Sequence, residues 1–130
     1  MSTKMNPEIK AKWVAALRSG EYQQGRANLR NRAEEFCCLG VLCDLAAKEG
    51  LGSWDADRRD DAYVWPNQEA NLGYDVTLFP VGIKKWAGLG VVDGGLGPQV
   101  IVNGSLQALA IHNDDGRSFA QIADAIEEQL

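Results

Sequence analysis

Arginine side chains lie beside aromatic and amide side chains in the polar segments of this chain. Between residues 21 and 35, a tyrosine and two glutamines share a segment with three arginines. A planar guanidinium group suits phosphate or carboxylate, and an aromatic ring stacks on a base. This combination predicts a pocket for a small anionic, nucleotide-like ligand. The expected contacts are Tyr22, Gln24, Arg26, Arg30, Trp54, Arg58 and Trp65.

Each of these aromatic residues also has a purely structural interpretation. A tryptophan or tyrosine in a loop often packs that loop against the body of the protein. Trp13 and Trp86 occur at helical spacing with other apolar residues and are expected in the core. For the loop cluster as a whole, both interpretations stay open.

Three cysteines and one histidine suggest two further kinds of site. A cysteine enzyme would use Cys37, Cys38 or Cys43 as nucleophile and His112 as base, with Asp114 or Asp115 orienting the imidazole. All three thiols, however, lie in the most apolar run of the chain, where burial raises the thiol pKa. Adjacent cysteines on a helix also point about 100° apart and do not readily share one zinc ion. We therefore expect buried thiols, with no catalytic residue, no metal site and no cofactor.

Asp44 is the only charged residue in the apolar run 36–47. It could mark a solvent-facing edge, with Lys48 as its partner one turn later. If it is buried, it needs hydrogen bonds or an ion pair, for which Arg26, Arg30 or Arg32 would be natural. The edge position is the favoured interpretation.

The elements that must position these side chains centre on one helix. The run 36–48 is apolar on every side, which is typical of a helix buried among other elements, and it is too short to cross a bilayer. Asn6 and Pro7 predict the start of a first helix, and Ser118 with Gln121 forms the capping box of the last. Further helices are expected from Pro80 and from Ser105. Short strands are expected at 63–65 and 74–79, and a hairpin is expected to join 91–92 to 99–102 around the glycine-rich residues 93–97.

The sequence therefore predicts an α+β fold with about five helices around the central helix and a small antiparallel sheet. Its 130 residues fit a single globular domain, 1–130. The net charge is −5, but residues 1–32 carry seven basic and two acidic side chains, a balance of +5, so the remainder carries −10. An acidic chain favours neither DNA nor an anionic membrane as partner. The polar first residues and the odd number of cysteines favour the cytosol.

Four segments together carry a resemblance to a known group. They read WVAALRSGEYQQG, FCCLGVLCDLA, IKKWAGL and LAIHNDDGRSFAQIADAIEE. This order resembles a family of small, uncharacterised proteins of tailed bacteriophages that share the FCCLGVLCDL motif, and the match covers nearly the whole chain. The sequence departs from the pattern at 111–114, where a leucine often precedes the Asn-Asp pair, and the segment 49–80 is variable in the group.

The resemblance implies an accessory phage protein acting in the cytoplasm of the bacterial host, of the kind that often counters host defences. It supplies no catalytic residues. The leading hypothesis is a binding protein that sequesters a nucleotide-type ligand, and self-association is left open. The first alternative is an acidic inhibitor of a host defence protein, acting through residues 55–61 and the C-terminal helix. The second is a small cysteine-dependent enzyme.

Overall fold

The computed structural model describes residues 5–26, 29–31, 33–50, 54, 86–88 and 99–130, together with the backbone of 65–66 and 74–75. The helices are α1 (Pro7–Arg18), α2 (Cys38–Lys48), α3 (Leu109–Asp114) and α4 (Phe119–Gln129). The strands are β1 (Gln23–Gln24), β2 (Glu35–Phe36), β3 (Trp65–Pro66), β4 (Tyr74–Asp75), β5 (Gln99–Val102) and β6 (Ser105–Ala108). The α+β class is confirmed.

The first and last helices begin where their local signals predict. The Asn6 side chain accepts hydrogen bonds from the backbone N–H of Glu8 and Ile9, and Pro7 is the first helical residue. Ser118 and Gln121 form the reciprocal capping box of α4. These two helices pack extensively against each other. Their contact places the apolar stripe of each helix in the core.

The central helix is buried as predicted, but it begins at Cys38 rather than at residue 36. Phe36 belongs to β2, which pairs in parallel with β1, and its carbonyl oxygen accepts a 2.7 Å hydrogen bond from the Gly25 N–H. Cys37 is the extended N-cap. The indole N–H of Trp13 donates to the Cys38 carbonyl oxygen at 2.9 Å and fastens α1 to the first turn of α2.

The prediction of one small antiparallel sheet is wrong. The described strands form three separate two-stranded pairs, of which β1 with β2 is parallel and the other two are antiparallel. The four strands β1 to β4 are each only two residues long. Such short pairs cannot build a continuous sheet, so most of the core lies between helices.

The helix predicted from Ser105 occurs only as α3 (Leu109–Asp114), because Ser105–Ala108 is strand β6 and pairs with β5. The two residues between these strands, Asn103 and Gly104, both have positive φ (51° and 79°), as a tight hairpin turn requires. The hairpin thus turns at Asn-Gly, and the expected partner strand at 91–92 lies outside the described residues.

Four helices, rather than about five, occur in the part of the chain that the structure describes. Of the helix expected from Pro80, only Trp86 and Ala87 are described, and both are helical. Ala87 is fully buried and its carbonyl oxygen accepts a 2.8 Å bond from the Asn6 N–H. No helix among the described residues is long and apolar enough to cross a membrane.

Candidate functional site

Three aromatic rings from distant segments meet beside the N-terminal end of the central helix. Phe36, which is buried, lies at the centre. The Tyr22 ring meets it edge to face with centroids 5.0 Å apart, and the Trp54 ring does so at 6.2 Å. We call these three residues together with Arg30 the aromatic–arginine cluster.

Arg30 places its guanidinium group over two of the rings. The guanidinium carbon is 5.2 Å from the Phe36 centroid and 5.6 Å from the Trp54 centroid, within the range of a cation–π interaction. The same guanidinium donates to the Glu34 carboxylate, from Nε at 3.1 Å and from Nη2. The Arg30 side chain is 19% exposed and that of Glu34 is 51% exposed. The cation is therefore held against the rings, while its carboxylate partner reaches solvent.

Asp44 anchors the outer rings of the cluster. Its carboxylate accepts a 2.6 Å hydrogen bond from the Tyr22 hydroxyl and a 3.1 Å bond from the Trp54 indole N–H. Lys48 completes the group, with Nζ 3.6 Å from the carboxylate and 3.1 Å from the tyrosine oxygen. The predicted pairing of Asp44 with Lys48 is present, but the Asp44 side chain is only 16% exposed and does not mark a solvent-facing edge. The partners shown for it are a tyrosine, a tryptophan and a lysine, and not the arginines that the buried alternative named.

Two pKa values reflect this hydrogen-bonded group. Burial, followed by the hydrogen bond to Asp44, raises the pKa of Tyr22. The hydrogen bond to Tyr22 is the largest influence raising the pKa of Lys48, and Asp44 adds to it. The tyrosine therefore stays a neutral donor and the lysine stays a cation at neutral pH.

The structure brings together three of the seven residues predicted for the ligand site: Tyr22, Arg30 and Trp54. Gln24 is separate, because its side-chain amide donates to Asn113 Oδ1 at 3.0 Å and to the Arg117 carbonyl oxygen at 2.6 Å. Arg26 is exposed, and its guanidinium lies close to Gly116. The remaining two predictions, Arg58 and the side chain of Trp65, lie outside the described residues.

Asn113 is a buried polar residue that was not among the predicted site residues. It is fully buried at the end of α3. Its Nδ2 donates to the Gly25 carbonyl oxygen at 2.8 Å, and its Oδ1 accepts from the Cys38 N–H at 3.2 Å as well as from Gln24. Asn113 thereby joins the β1 segment to the first turn of α2. The Asn-Asp pair in the motif pattern that the sequence resembles was the signal that could have pointed to Asn113.

The thiols lie in buried surroundings that disfavour the reactive thiolate form. The three cysteines are buried, and Cys38 Sγ donates to the Leu109 carbonyl oxygen at 3.5 Å. Burial raises the pKa of Cys37 to about 11 and that of Cys38 well above its usual range. His112 donates from Nε2 to the Val100 carbonyl oxygen at 2.8 Å, and its buried Nδ1 has no hydrogen-bond partner among the described residues. Within the described ranges, no three metal-binding side chains are grouped.

Because a protonated thiol is a poor nucleophile, we expect the native protein to resist iodoacetamide at neutral pH. The unfolded chain should label at all three cysteines. Between pH 9 and 11 the unfolded Cys37 thiol loses its proton while most of the folded one keeps it, so Cys37 alone should lower the free energy of unfolding by roughly 2 kcal/mol. Cys38, whose pKa is also raised by burial, adds to this fall. Mass spectrometry of labelled samples and urea unfolding across this pH range measure the two effects. Rapid labelling of a native thiol would restore the cysteine-enzyme hypothesis.

An open groove of about 390 Å³ lies along α1, and none of its lining residues belongs to the aromatic–arginine cluster. Its floor includes Ala11, Val14 and Ala15, which offer no ring for stacking. Arg18 lines it but is already bound to Asp124 and Glu127 on α4. Because the groove offers no aromatic ring for stacking, we place the candidate ligand site at the cluster.

Comparisons with known proteins give a family but no function. No curated protein and no solved structure matches the chain. A family model described as a domain of unknown function matches residues 5–130, which include every residue of the cluster. The chain therefore belongs to the family described as Domain of unknown function (DUF8296).

Proposed function

We propose that this protein binds and sequesters a small anionic ligand of the nucleotide type at the aromatic–arginine cluster, without transforming it. The observation that carries the proposal is the position of Arg30, whose guanidinium lies against Phe36 and Trp54 while it remains 19% exposed. A cation fixed beside aromatic rings combines the two contacts that a nucleotide offers, charge on the phosphate and a stacking face on the base.

We expect an anionic ligand to replace the Glu34 carboxylate at the Arg30 guanidinium. Glu34 binds the Arg30 guanidinium from a half-exposed position, so a phosphate approaching from solvent can take its place. Lys48 is 64% exposed and its Nζ lies 5.3 Å from the centre of the Tyr22 ring, which supplies a second cation at the same surface. Once Glu34 is displaced, the two cations Arg30 and Lys48 exceed the one carboxylate that remains among the described contacts, Asp44, and this excess of positive charge suits a phosphorylated aromatic ligand better than a neutral one.

The hydrogen bonds to Asp44 support the proposal by fixing the rings in advance. The polar groups of Tyr22 and Trp54 are both bound to Asp44, so a ligand would meet these residues through their ring surfaces. Rings that are already held lose little conformational entropy on binding, which favours affinity. Asp44 would thus act as a positioning residue and would not contact the ligand.

The biological role that we propose rests on the resemblance to phage proteins carrying the FCCLGVLCDL motif. An accessory phage protein that holds a nucleotide signal lowers its free concentration in the bacterial cytoplasm. Such sequestration counters a defence that depends on the signal and requires no catalytic residue. The buried thiols, with their raised pKa values, are consistent with binding without chemistry.

The alternative, an acidic inhibitor of a host protein, has less support from the described residues. Its first expected surface, 55–61, lies outside them. On α4, Asp124 and Glu127 are exposed but bind Arg18, which offsets part of the negative charge. A neutralised surface steers a basic partner weakly.

A thermal-shift screen against mono-, di- and cyclic nucleotides and ADP-ribose derivatives tests the proposed function. A ligand at about 100 times its dissociation constant adds roughly 2.7 kcal/mol to stability, which should raise the melting temperature by several degrees. We expect Arg30→Ala to abolish that shift. Glu34→Gln should increase affinity by about tenfold, because it removes the carboxylate that competes for Arg30.

Arg18→Ala is the matched control, because Arg18 also binds carboxylates but lies at the α1–α4 contact. It should leave the ligand-induced shift intact. Binding that survives Arg30→Ala would place the ligand elsewhere. If no compound stabilises either the wild type or Glu34→Gln, the sequestration proposal fails, and the inhibitor hypothesis becomes the one to pursue.

A further inference from the structure

The two outer edges of the β5–β6 hairpin differ in their hydrogen bonding, and the strand register shows which backbone groups lie on each edge. Val102 pairs with Ser105 across the two-residue turn, and Ile101 pairs with Leu106. In an antiparallel hairpin of this kind, the pair next to the turn exchanges hydrogen bonds and the next pair does not. The backbone N–H and C=O groups of Ile101 and Leu106 therefore point away from the hairpin, one residue on each edge.

The edge of β5 is closed by the chain itself. The Gln129 side chain accepts a 2.8 Å hydrogen bond from the Ile101 N–H and donates one of 2.8 Å to the Ile101 carbonyl oxygen. Its amide thus occupies the position that a neighbouring strand would take. In the described part of the chain, no strand or side chain does the same for Leu106 on the edge of β6.

The edge of β6, which no described residue covers, is uncharged and lies beside two exposed apolar side chains. Leu106 is 59% exposed and Ile101 is 52% exposed, and as a cross-strand pair their side chains share one face of the hairpin. The twenty residues 94–113 contain no Asp, Glu, Lys or Arg, in a chain with 31 such residues. Strand edges are usually protected from pairing by charges or proline, and β6 has neither.

Charge also bears on which molecule can cover this edge. The chain carries a net charge of −5, so two copies of it repel each other overall. A two-fold contact joins the same surface patch of both copies. An uncharged patch can therefore pair with itself without repulsion between like charges. The neutral edge of β6 meets that condition, whereas the exposed face of α4, with Asp124, Glu127 and Glu128, does not.

We propose that β6 pairs with β6 of a second copy of this chain, antiparallel and centred on Leu106. In that register Leu106 and its equivalent in the second copy exchange two N–H···O bonds, because a two-fold axis passes between them. The two hairpins form a four-stranded sheet, and the exposed Leu106 and Ile101 side chains gather on one face. A contact of this size is small, so the dimer is expected to be weak and concentration-dependent.

Sedimentation velocity from micromolar to millimolar concentration tests the proposal, together with amide hydrogen exchange at Leu106. We expect a reversible monomer–dimer equilibrium in which protection of the Leu106 amide increases with concentration. Leu106→Lys should raise the dissociation constant of the dimer by at least about tenfold, because it puts like charges side by side at the two-fold axis. Leu106→Ile should keep the dimer.

Ala11→Lys is the control, because it adds the same charge at an exposed position on α1. It should leave the dissociation constant within about twofold. Leu106→Pro removes the outward N–H without removing a bond of the hairpin, and should also abolish the dimer. A monomer at millimolar concentration would overturn the proposal and leave the edge to an extended segment of a different protein. A dimer unaffected by Leu106→Lys would equally overturn it.

Discussion

Replacing Gly40 with alanine is expected to destabilise the protein by more than about 4 kcal/mol, close to the whole stability of many domains. A Cβ atom at Gly40 would lie 1.8 Å from the Leu29 carbonyl oxygen and 2.6 Å from its carbonyl carbon. Leu29 is fully buried, and its carbonyl oxygen accepts a hydrogen bond from the Cys37 N–H. The segment therefore cannot move aside without breaking contacts that hold the start of α2. Loss of soluble protein or of a cooperative unfolding transition measures the effect.

Gly20→Ala is the matched control for this prediction. Gly20 has a positive φ of 79°, but nothing lies within 4 Å of the added Cβ. Its substitution carries only the backbone cost, about 1 kcal/mol, and should lower the melting temperature by a few degrees. If Gly40→Ala unfolds within a few degrees of the wild type, the close contact between α2 and the Leu29 segment is not as described.

Asn113→Ala is expected to cost on the order of 3 kcal/mol and to lower the melting temperature by about 10 °C. The change removes three hydrogen bonds at a fully buried position. It leaves the Cys38 N–H and the Gly25 carbonyl oxygen without the partner that Asn113 provides. A buried polar group that loses its partner costs more than the bond itself was worth. Urea unfolding monitored by circular dichroism gives the free energy directly.

Two neighbouring glutamines provide the comparison for Asn113. Gln24 shares the network, so Gln24→Ala should have a smaller effect in the same direction, about half that of Asn113→Ala. Gln23 is exposed, and Gln23→Ala should stay within about 0.5 kcal/mol of the wild type. Equal effects at both glutamines would mean that the network carries no particular share of the stability.

The contacts of Gly40 and Asn113 also explain what the central motif contributes to the fold. The FCCLGVLCDL run supplies a buried helix whose glycine admits the Leu29 backbone and whose first N–H binds Asn113. The aspartate of the motif, Asp44, holds Tyr22 and Trp54 one turn further along. Residues of the motif thus contact three different segments of the chain, and the Asp44 contacts hold two rings of the proposed ligand site.

The sequence alone determined the features that depend on neighbours along the chain. The start of α1 at Asn6 and Pro7 and the capping box of α4 were predicted because their hydrogen bonds span two or three residues. The burial of the central helix was predicted because apolar residues occur on all its sides. In the same way, the arginine-bearing segment containing Tyr22 and Arg30 indicated where a cluster with Trp54 could form.

Only the tertiary structure decided how these elements meet. Asn113 binds Gly25 across 88 positions of sequence, and Asp44 binds Tyr22 across 22. No local pattern encodes such contacts, because they depend on which faces pack together once the helices have formed. For the same reason Gln24 points to Asn113 instead of joining the cluster, and residues 105–108 form a strand instead of a helix turn. Local propensity there is weak, and the hairpin hydrogen bonds across Asn103 and Gly104 outweigh it.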